Sequence, residues 1–340
     1  MMSWVIVPLV VTFIFAVFFD FTNGFHDTSN AISTVVSTRA LRPYQAVLMS
    51  AALNLAGALI TVIFFKAKVS NTIASTLAIH AGLTVLLAAL IGAITWNLVT
   101  WYLGLPSSST HALIGGLVGA GLGAAGGPAG VKWSALGKQI LSLVISPPIG
   151  LVVAAALILV IFWLIRALNA RPVPVNRTFR SLQVLSSAFV SYSHGSNDAQ
   201  KTMAVMTLAL VASGHLQRFQ IPIWVVILSG LAIGAGTWAG GWRIIKTVGW
   251  RIYDVTPVTG VTTELTSAGL IQVATQFGLP VSTTHMVIGS LMGAGMVRRF
   301  SAVRWGVGAE IVTAWILTIP AAGVVAWIVF AVLHTAGLRY

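Results

Sequence analysis

The chain has 340 residues, of which 57% are hydrophobic and only 7% are charged. A soluble domain carries about 25% charged residues, so this composition excludes a soluble fold and requires a surface that faces lipid. The net charge of +13 would suit nucleic acid, but the basic residues lie in short clusters between apolar runs, which is typical of the flanks of membrane spans. We therefore expect the lipid bilayer as a partner and no nucleic acid.

Apolar runs follow one another along the chain, and several approach the roughly 20 residues that span a bilayer. They cover residues 4–19, 46–65, 81–103, 139–165, 183–193, 221–241, 266–277 and 307–333. The first run lacks a basic leader and a cleavage site, which favours a retained span over a signal peptide. Counting half-spans, we expect an all-α polytopic membrane protein with roughly ten to twelve membrane segments.

The chain contains an internal duplication. "LPSSSTHALIGG" (105–116) matches "LPVSTTHMVIGS" (279–290) at an offset of 174 residues, and Asp27 of "NGFHD" matches Asp198 of "HGSND" at an offset of 171. "VKW" (131–133) matches "VRW" (303–305) at 172. The sequence therefore predicts a first repeat over 1–165, a central linker over 166–182 and a second repeat over 183–340.

The linker carries four arginines and two prolines, which indicates a cytoplasmic loop. If each half crosses the membrane an odd number of times, the second copy is inverted and both termini lie on the side opposite the linker. Polar interruptions at matching positions of inverted halves indicate the central site of a transporter, built from broken helices and re-entrant half-helices. We expect such breaks around Gly24 and at Pro106, after Trp101.

The first interruption, "NGFHDTSNAIS" (23–33), contains Asp27 and lies just after Asp20, so that two of the six acidic residues occur in one otherwise apolar stretch. A carboxylate at membrane depth should meet a cation or a proton, whereas at the membrane surface Asn and Asp would merely cap helices. Lys201 takes the place of Asn30 in the second copy; it either supplies a fixed positive charge or snorkels to an interface. The predicted cation-coupling residues are Asn23, Asp27, Asn30, Asn197, Asp198 and Lys201.

Hydroxyl clusters stand before two glycine-rich apolar segments. A Pro followed by Ser and Thr predicts a helix N-terminus, whose free N–H groups and positive dipole end favour an anion. The alternative is that these hydroxyls only join one helix to another. The predicted anion-binding residues are Ser108, Ser109, Thr110, Ser282, Thr283 and Thr284.

Histidines occur in both pairs of motifs, and one further acid lies in an uncharged segment. Histidine titrates near neutral pH and is able to carry protons, although a neutral hydrogen-bonding role is the simpler interpretation. The candidates for a proton relay or a gate are His26, His111, His194, Glu264 and His285. We expect no bound metal and no cofactor beyond the coupling cation.

The paired motifs "GFHDTSNA" with "GSNDAQKTM" and "LPSSSTH" with "LPVSTTH" resemble those of the inorganic phosphate transporter (PiT) family, solute-carrier family 20 in animals. The resemblance covers essentially the whole chain. It implies an inverted-repeat secondary transporter that carries phosphate with a cation by alternating access. It places phosphate at the two hydroxyl clusters and the cation near the Asp/Asn motifs.

Two departures from the sodium-coupled pattern stand out: Lys201 replaces the second Asn, and Asn54 stands where such members tend to carry a glutamate. The "NDAQK" form resembles the bacterial low-affinity branch, which implies phosphate import with protons, also as metal–phosphate complexes, across the inner membrane. Sodium coupling, a sulfate permease of the same family and a passive anion channel stay open as alternatives, and so does a homodimer. We expect no enzyme, because an intramembrane hydrolase would need an asymmetric centre with an activated nucleophile.

Overall fold

The computed structural model describes residues 3–78 and 82–338, and these residues are almost entirely helical. Within these two ranges the chain forms twelve α-helices, with a π-helical turn (Thr247–Arg251) after the ninth. In chain order they are α1 (Ser3–Ser37), α2 (Pro43–Phe65), α3 (Lys68–Ala74), α4 (Leu83–Leu103), α5 (Ser109–Ala125), α6 (Trp133–Ala167), α7 (Pro172–Ala212), α8 (Ile223–Ala239), α9 (Trp242–Lys246), α10 (Pro257–Gln276), α11 (Thr283–Arg298) and α12 (Trp305–Thr335).

Several helices are long and apolar enough to cross a bilayer. By length and composition, five helices of the described ranges qualify: α1, α2, α4, α6 and α12. A sixth candidate is α8 together with 242–251, which is bent by 60°. Large apolar side chains such as Ile316, Trp163 and Phe64 point outward and are more than half exposed. The all-α polytopic membrane fold expected from the composition is confirmed.

Contacts between helix ends define two faces of the bundle. Thr84, at the start of α4, donates a hydrogen bond to the carbonyl of Leu338, just after α12. Both residues line a cavity together with Val7, which lies near the start of α1. We call this end the termini face. At the other end, Thr38 just after α1 donates to Gln183 of α7 at 2.7 Å. We call this end, which includes the α6–α7 turn at 168–171, the linker face.

The two halves pack into each other by equivalent contacts. A Cβ at Gly24 of α1 would lie 2.1 Å from the Ile233 carbonyl oxygen of α8, and a Cβ at Gly195 of α7 would lie 2.1 Å from the Asn54 carbonyl oxygen of α2. The first helix of each half therefore crosses the second helix of the other half at backbone contact. Such small-residue crossings are typical of membrane helices.

Short segments hold the tips of two helical hairpins in the same reciprocal way. Thr72 of α3 donates to the Gly278 carbonyl in the α10–α11 turn at 2.7 Å. Thr247, in the π-helical turn, donates to the Gly104 carbonyl in the α4–α5 turn at 2.8 Å. Each hairpin is thus fastened by the other half of the chain, so that the halves form one interlocked bundle.

The helix break expected around Gly24 is wrong. Helix α1 runs without interruption from residue 3 to 37, and α7 runs from 172 to 212. Gly24 serves the close crossing with α8, which needs no break in the helical hydrogen bonds. The break expected at Pro106 is present: among the described residues, the breaks that open hairpins lie at 104–108 and 277–282.

The predicted linker 166–182 is largely helical. After a turn at 168–171, α7 begins at Pro172, a residue that suits the first turn of a helix because its missing N–H needs no partner there. Residues 172–182 are consequently the first three turns of α7.

The crossing at Gly195 predicts a large loss of stability on adding one methyl group. Gly195→Ala should destabilise the protein by about 1–3 kcal/mol because α2 and α7 must separate. Gly137→Ala is the matched control, since a Cβ there meets nothing within 4 Å and alanine is the better helix former. Thermal unfolding in detergent measures both, and equal melting temperatures would contradict the close crossing.

Candidate functional site

Two helices begin inside the protein with equivalent caps. The Ser108 hydroxyl accepts a hydrogen bond from the backbone N–H of His111 at 3.2 Å and caps α5. The Ser282 hydroxyl accepts from the N–H of His285, also at 3.2 Å, and caps α11. The hydroxyl residues of both clusters are buried. Two positive helix ends with free N–H groups are therefore enclosed in the protein interior.

The two hydroxyl clusters meet at a single carboxylate. Ser109 donates to one Asp27 oxygen at 3.4 Å, and Thr284 donates to the other at 3.3 Å. Thr110 also reaches across, donating to the Val281 carbonyl at 3.2 Å. Segments 174 residues apart in sequence thus line one buried site against the middle of α1.

The equivalent acid of the second half forms an ion pair. The Lys201 ammonium lies 2.7 Å from one Asp198 oxygen, and Thr283 of α11 donates to the other at 3.5 Å. Lys201 is 0% exposed, so the interpretation as a snorkelling lysine is wrong. The site holds a fixed positive charge next to the second hydroxyl cluster.

Hydrogen bonds determine the protonated nitrogen of His194. The Thr237 hydroxyl donates to the Ile233 carbonyl at 2.9 Å and therefore accepts from the Asn54 amide nitrogen at 2.8 Å. This orientation turns the Asn54 oxygen toward His194 Nδ1, 2.9 Å away. Nδ1 consequently carries a proton.

The other nitrogen of His194 faces two acids. Nε2 lies 3.8 Å from Asp27 Oδ2 and 3.5 Å from Asp198 Oδ2. One ligand atom from each of the three residues falls within 4.8 Å of the others, close enough to hold one cation. Because two carboxylates oppose each other there, a positive charge between them is favoured. We call Asp27, His194 and Asp198 the cation cluster.

His26 joins Asp27 to the first hairpin. Its Nδ1 lies 2.8 Å from Asp27 Oδ1, and since a carboxylate only accepts, Nδ1 is the donor. Its Nε2 lies 3.1 Å from the Thr100 hydroxyl and 3.3 Å from that of Ser107. His26 therefore connects Asp27 by hydrogen bonds to the α4–α5 turn, so that a change of charge at Asp27 would alter the contacts of that turn.

Two of the three predicted asparagines contact the second hairpin, and the third, Asn23, lies one helical turn before Asp27 on α1. Asn30 donates its amide to Thr284 at 2.9 Å, and Asn197 donates to Thr275 of α10 at 2.8 Å. Among the residues that the structure describes, their side-chain oxygens and both polar atoms of Asn23 have no hydrogen-bond partner. These oxygens are the kind of ligand that a hard cation or a proton donor would use.

His111 and His285 lie together but apart from the carboxylates. Their rings are 4.5 Å apart, and His285 stacks on Trp315 at 3.7 Å. They line a cavity of about 370 Å³ between α6 and α12. No hydrogen bond joins them to an acid within residues 3–78 and 82–338, so the geometry gives them no direct link to the cation cluster.

Glu264 lies nearer the linker face and is fully hydrogen-bonded. Its oxygens accept from Thr34 of α1 at 2.5 Å, from Gln183 at 3.3 Å and from Ser186 of α7. It thereby ties α10 to α1 and α7.

Some residues that contact the predicted site were not predicted from the sequence. These are Thr100 of α4 and Gln183 and Ser186 of α7; Asn54 of α2, which contacts His194, was noted only as a departure from the sodium-coupled pattern. The available signal was a single polar residue within an apolar run, which also occurs at positions that only join helices. Such a signal does not show which of these polar residues contacts the site, because the contact depends on helices that are distant in sequence.

Comparison with known proteins agrees with this geometry. The model of the phosphate transporter family matches residues 23–326. A probable low-affinity inorganic phosphate transporter of Rhizobium meliloti (strain 1021) is 47% identical, over 94% of each chain. One with the same description from Bacillus subtilis (strain 168) is 40% identical, over 98% of this chain and 99% of the relative.

A solved structure shares the fold. It is described as the sodium-dependent phosphate transporter; it is 26% identical, with a TM-score of 0.85 over 97% of this chain and 99% of that chain. The family, the multi-pass helical fold and the two converging hairpins identify a transporter rather than an enzyme. The chain belongs to the phosphate transporter family.

Proposed function

We propose that this protein imports inorganic phosphate together with a coupling cation, with protons as the favoured cation. The observation that carries the proposal is the convergence of two hydroxyl-bearing helix N-termini on Asp27. The relatives with 47% and 40% identity are both described as probable low-affinity inorganic phosphate transporters.

The two hairpin N-termini suit a tetrahedral oxyanion. Ser109 and Thr110 follow the α5 cap, and Thr283 and Thr284 follow the α11 cap, so each half offers hydroxyl and N–H donors from one side. Positive helix ends favour phosphate, and Lys201 adds a point charge. The donors that now contact Asp27 and Asp198 would turn to the anion when it binds.

Charge balance supports symport. The cation cluster and Lys201 contain two carboxylates and one ammonium, and phosphate would add more negative charge to a buried site. Burial of uncompensated charge costs several kcal/mol per ion. Phosphate binding therefore requires that cations bind with it, which couples the two movements.

Two features favour protons over sodium. Lys201 supplies a permanent cation at the position of Asn30, where an amide oxygen would otherwise serve as a metal ligand. His194 places its ring nitrogen Nε2 between Asp27 and Asp198, and because Nδ1 carries the proton of the neutral ring, Nε2 is able to accept one. Sodium coupling is the second candidate, because the structural relative is described as sodium-dependent; a metal–phosphate complex would use the same cluster.

The distribution of arginines supports a cytoplasmic linker face in the plasma membrane. The described loops and helix ends at this face carry Arg39, Arg42, Arg166, Arg171, Arg177, Arg180, Arg251, Arg298, Arg299 and Arg304. Short cytoplasmic loops are enriched in arginine and lysine. The termini face then lies outside, and alternating access would move the two hairpins against the remaining helices.

Uptake by purified protein in proteoliposomes tests the proposal. With a pH gradient alone, acidic outside, we expect phosphate to accumulate, and with a sodium gradient alone we expect only equilibration. An uncoupler should abolish accumulation. Accumulation driven by sodium alone would reject proton coupling, and equilibration under both gradients would indicate a passive channel.

The same vesicles separate phosphate from sulfate. Excess sulfate should leave phosphate uptake unchanged if the hydroxyl clusters select phosphate, and inhibition by equimolar sulfate would support the sulfate permease instead.

A further inference from the structure

Asp20 is a buried acid to which the proposed mechanism gives no role. It lies on α1 and is 0% exposed. Neither of its carboxyl oxygens has a hydrogen-bond partner within residues 3–78 and 82–338. Burying an unpartnered carboxylate is costly, so its presence in an apolar span calls for a function.

The other buried acids differ from Asp20 in this respect. Asp27 accepts from His26 and two hydroxyls, Asp198 is paired with Lys201, and Glu264 accepts three hydrogen bonds. Of the buried acids that the structure describes, Asp20 is thus the one whose oxygens are both free to take up a proton.

The surroundings of Asp20 suit both a carboxylate and a protonated acid. The hydroxyls of Thr202 on α7 and Ser229 on α8 face the carboxyl and have no other hydrogen-bond partner among the described residues, so they are able to donate to the ionised acid or to accept from the protonated one. The charged groups that act on Asp20 are Asp198 and Lys201 of α7. The other helices packed against this part of α1, α4 and α8, contain no Asp, Glu, Lys, Arg or His.

The position of Asp20 along α1 indicates the face of the protein from which a proton would reach it. Asp20 precedes Asp27 by seven residues, which places both on one face of α1 about 10 Å apart, with Asp20 nearer the termini face. Thr34, the partner of Glu264, follows after a further seven residues on the same face. Acidic groups therefore recur along α1 from the termini face, through the cation cluster, toward the linker face.

We propose that Asp20 is a second proton-binding site of the transporter, separate from the phosphate site and loaded from the termini face. This inference rests on the proposed proton-coupled function. The proton binds a carboxyl oxygen of Asp20 from the outer solution and leaves to the inner solution in the inward-open state. Loading it removes one negative charge from the surroundings of Asp198 and Lys201, which act on Asp20 electrostatically, and so favours entry of the anion.

Two assays on wild type and Asp20→Asn test the proposal. Asparagine imitates the protonated acid, so exchange of radiolabelled phosphate at equal pH on both sides should stay within about twofold of wild type. Under a pH gradient of about one unit, the accumulation ratio should fall about tenfold, because each coupled proton contributes about a factor of ten. A pH dye inside the vesicles should report fewer protons entering per phosphate.

Matched variants complete the design. Asp27→Asn, the same change two turns further along α1, should abolish both exchange and accumulation. Asp20→Ser, which gives α1 the residue type found at the equivalent Ser191 of α7, should behave as Asp20→Asn and serves if that variant does not fold. Asp20→Glu, which keeps a carboxyl group at this position, should accumulate phosphate as wild type does.

The outcomes are distinct. An unchanged proton-to-phosphate ratio in Asp20→Asn or Asp20→Ser would overturn the inference, and so would a loss of exchange together with accumulation in a folded variant. If wild type itself shows no accumulation under a pH gradient, the proton-coupled function fails and not the role of Asp20 alone.

Discussion

Replacing Asp27 by asparagine should abolish phosphate uptake while leaving the protein folded. The carboxylate accepts from His26, Ser109 and Thr284 and faces His194. An amide keeps the volume of the side chain but loses its charge and half of its acceptors. The neutral amide no longer attracts the coupling cation, and losing about 3 kcal/mol of such an interaction with a charged group corresponds to about a hundredfold lower uptake.

The measurement is initial uptake into proteoliposomes at matched protein density, with thermal unfolding in detergent as the check on folding. Asp254→Asn is the control, because Asp254 is an 83% exposed acid paired with Arg304 outside the site. Asp198→Asn should also lose uptake, but with a loss of stability that Asp27→Asn does not show, because it leaves the buried Lys201 without its partner. Wild-type accumulation by the Asp27 variant would remove the central carboxylate from the mechanism.

Lys201→Met should lose both stability and uptake. Removing one partner of a buried ion pair leaves the other charge uncompensated, which costs about 3–5 kcal/mol. Lys201 is buried and lies 2.7 Å from Asp198, and methionine retains much of its volume. The melting temperature in detergent should fall clearly, and phosphate would lose its fixed positive partner.

A second substitution separates these two effects. Asp198→Asn combined with Lys201→Met removes both charges, so most of the stability should return while uptake stays absent. A double variant as unstable as Lys201→Met alone would show that lysine packing, and not the ion pair, determines the loss.

The sequence predicted the membrane class and the internal duplication from chemistry that does not depend on contacts. A chain with so few charges requires a lipid-facing surface, and matched offsets of 171 to 174 residues follow from the letters alone. The hydroxyl clusters were placed at helix N-termini because Pro and Ser/Thr terminate and cap helices locally. Ser108 and Ser282 occupy these caps.

The sequence was wrong where a local signal had two physical causes. The polar residues around Gly24 suggested a broken helix, but glycine also permits a close crossing, and the neighbour that decides between the two is Ile233 of α8. The residue pattern of α1 alone contains no information on that neighbour.

What the sequence by itself determined is the set of polar residues held at membrane depth and their duplication. What only the tertiary structure decided is which of them meet. It brought Thr284 to Asp27, turned His194 toward both acids and left Asp20 without a partner. The physical reason is that hydrogen bonds and ion pairs act over a few ångströms, and only the crossing of helices distant in sequence brings these side chains within that range.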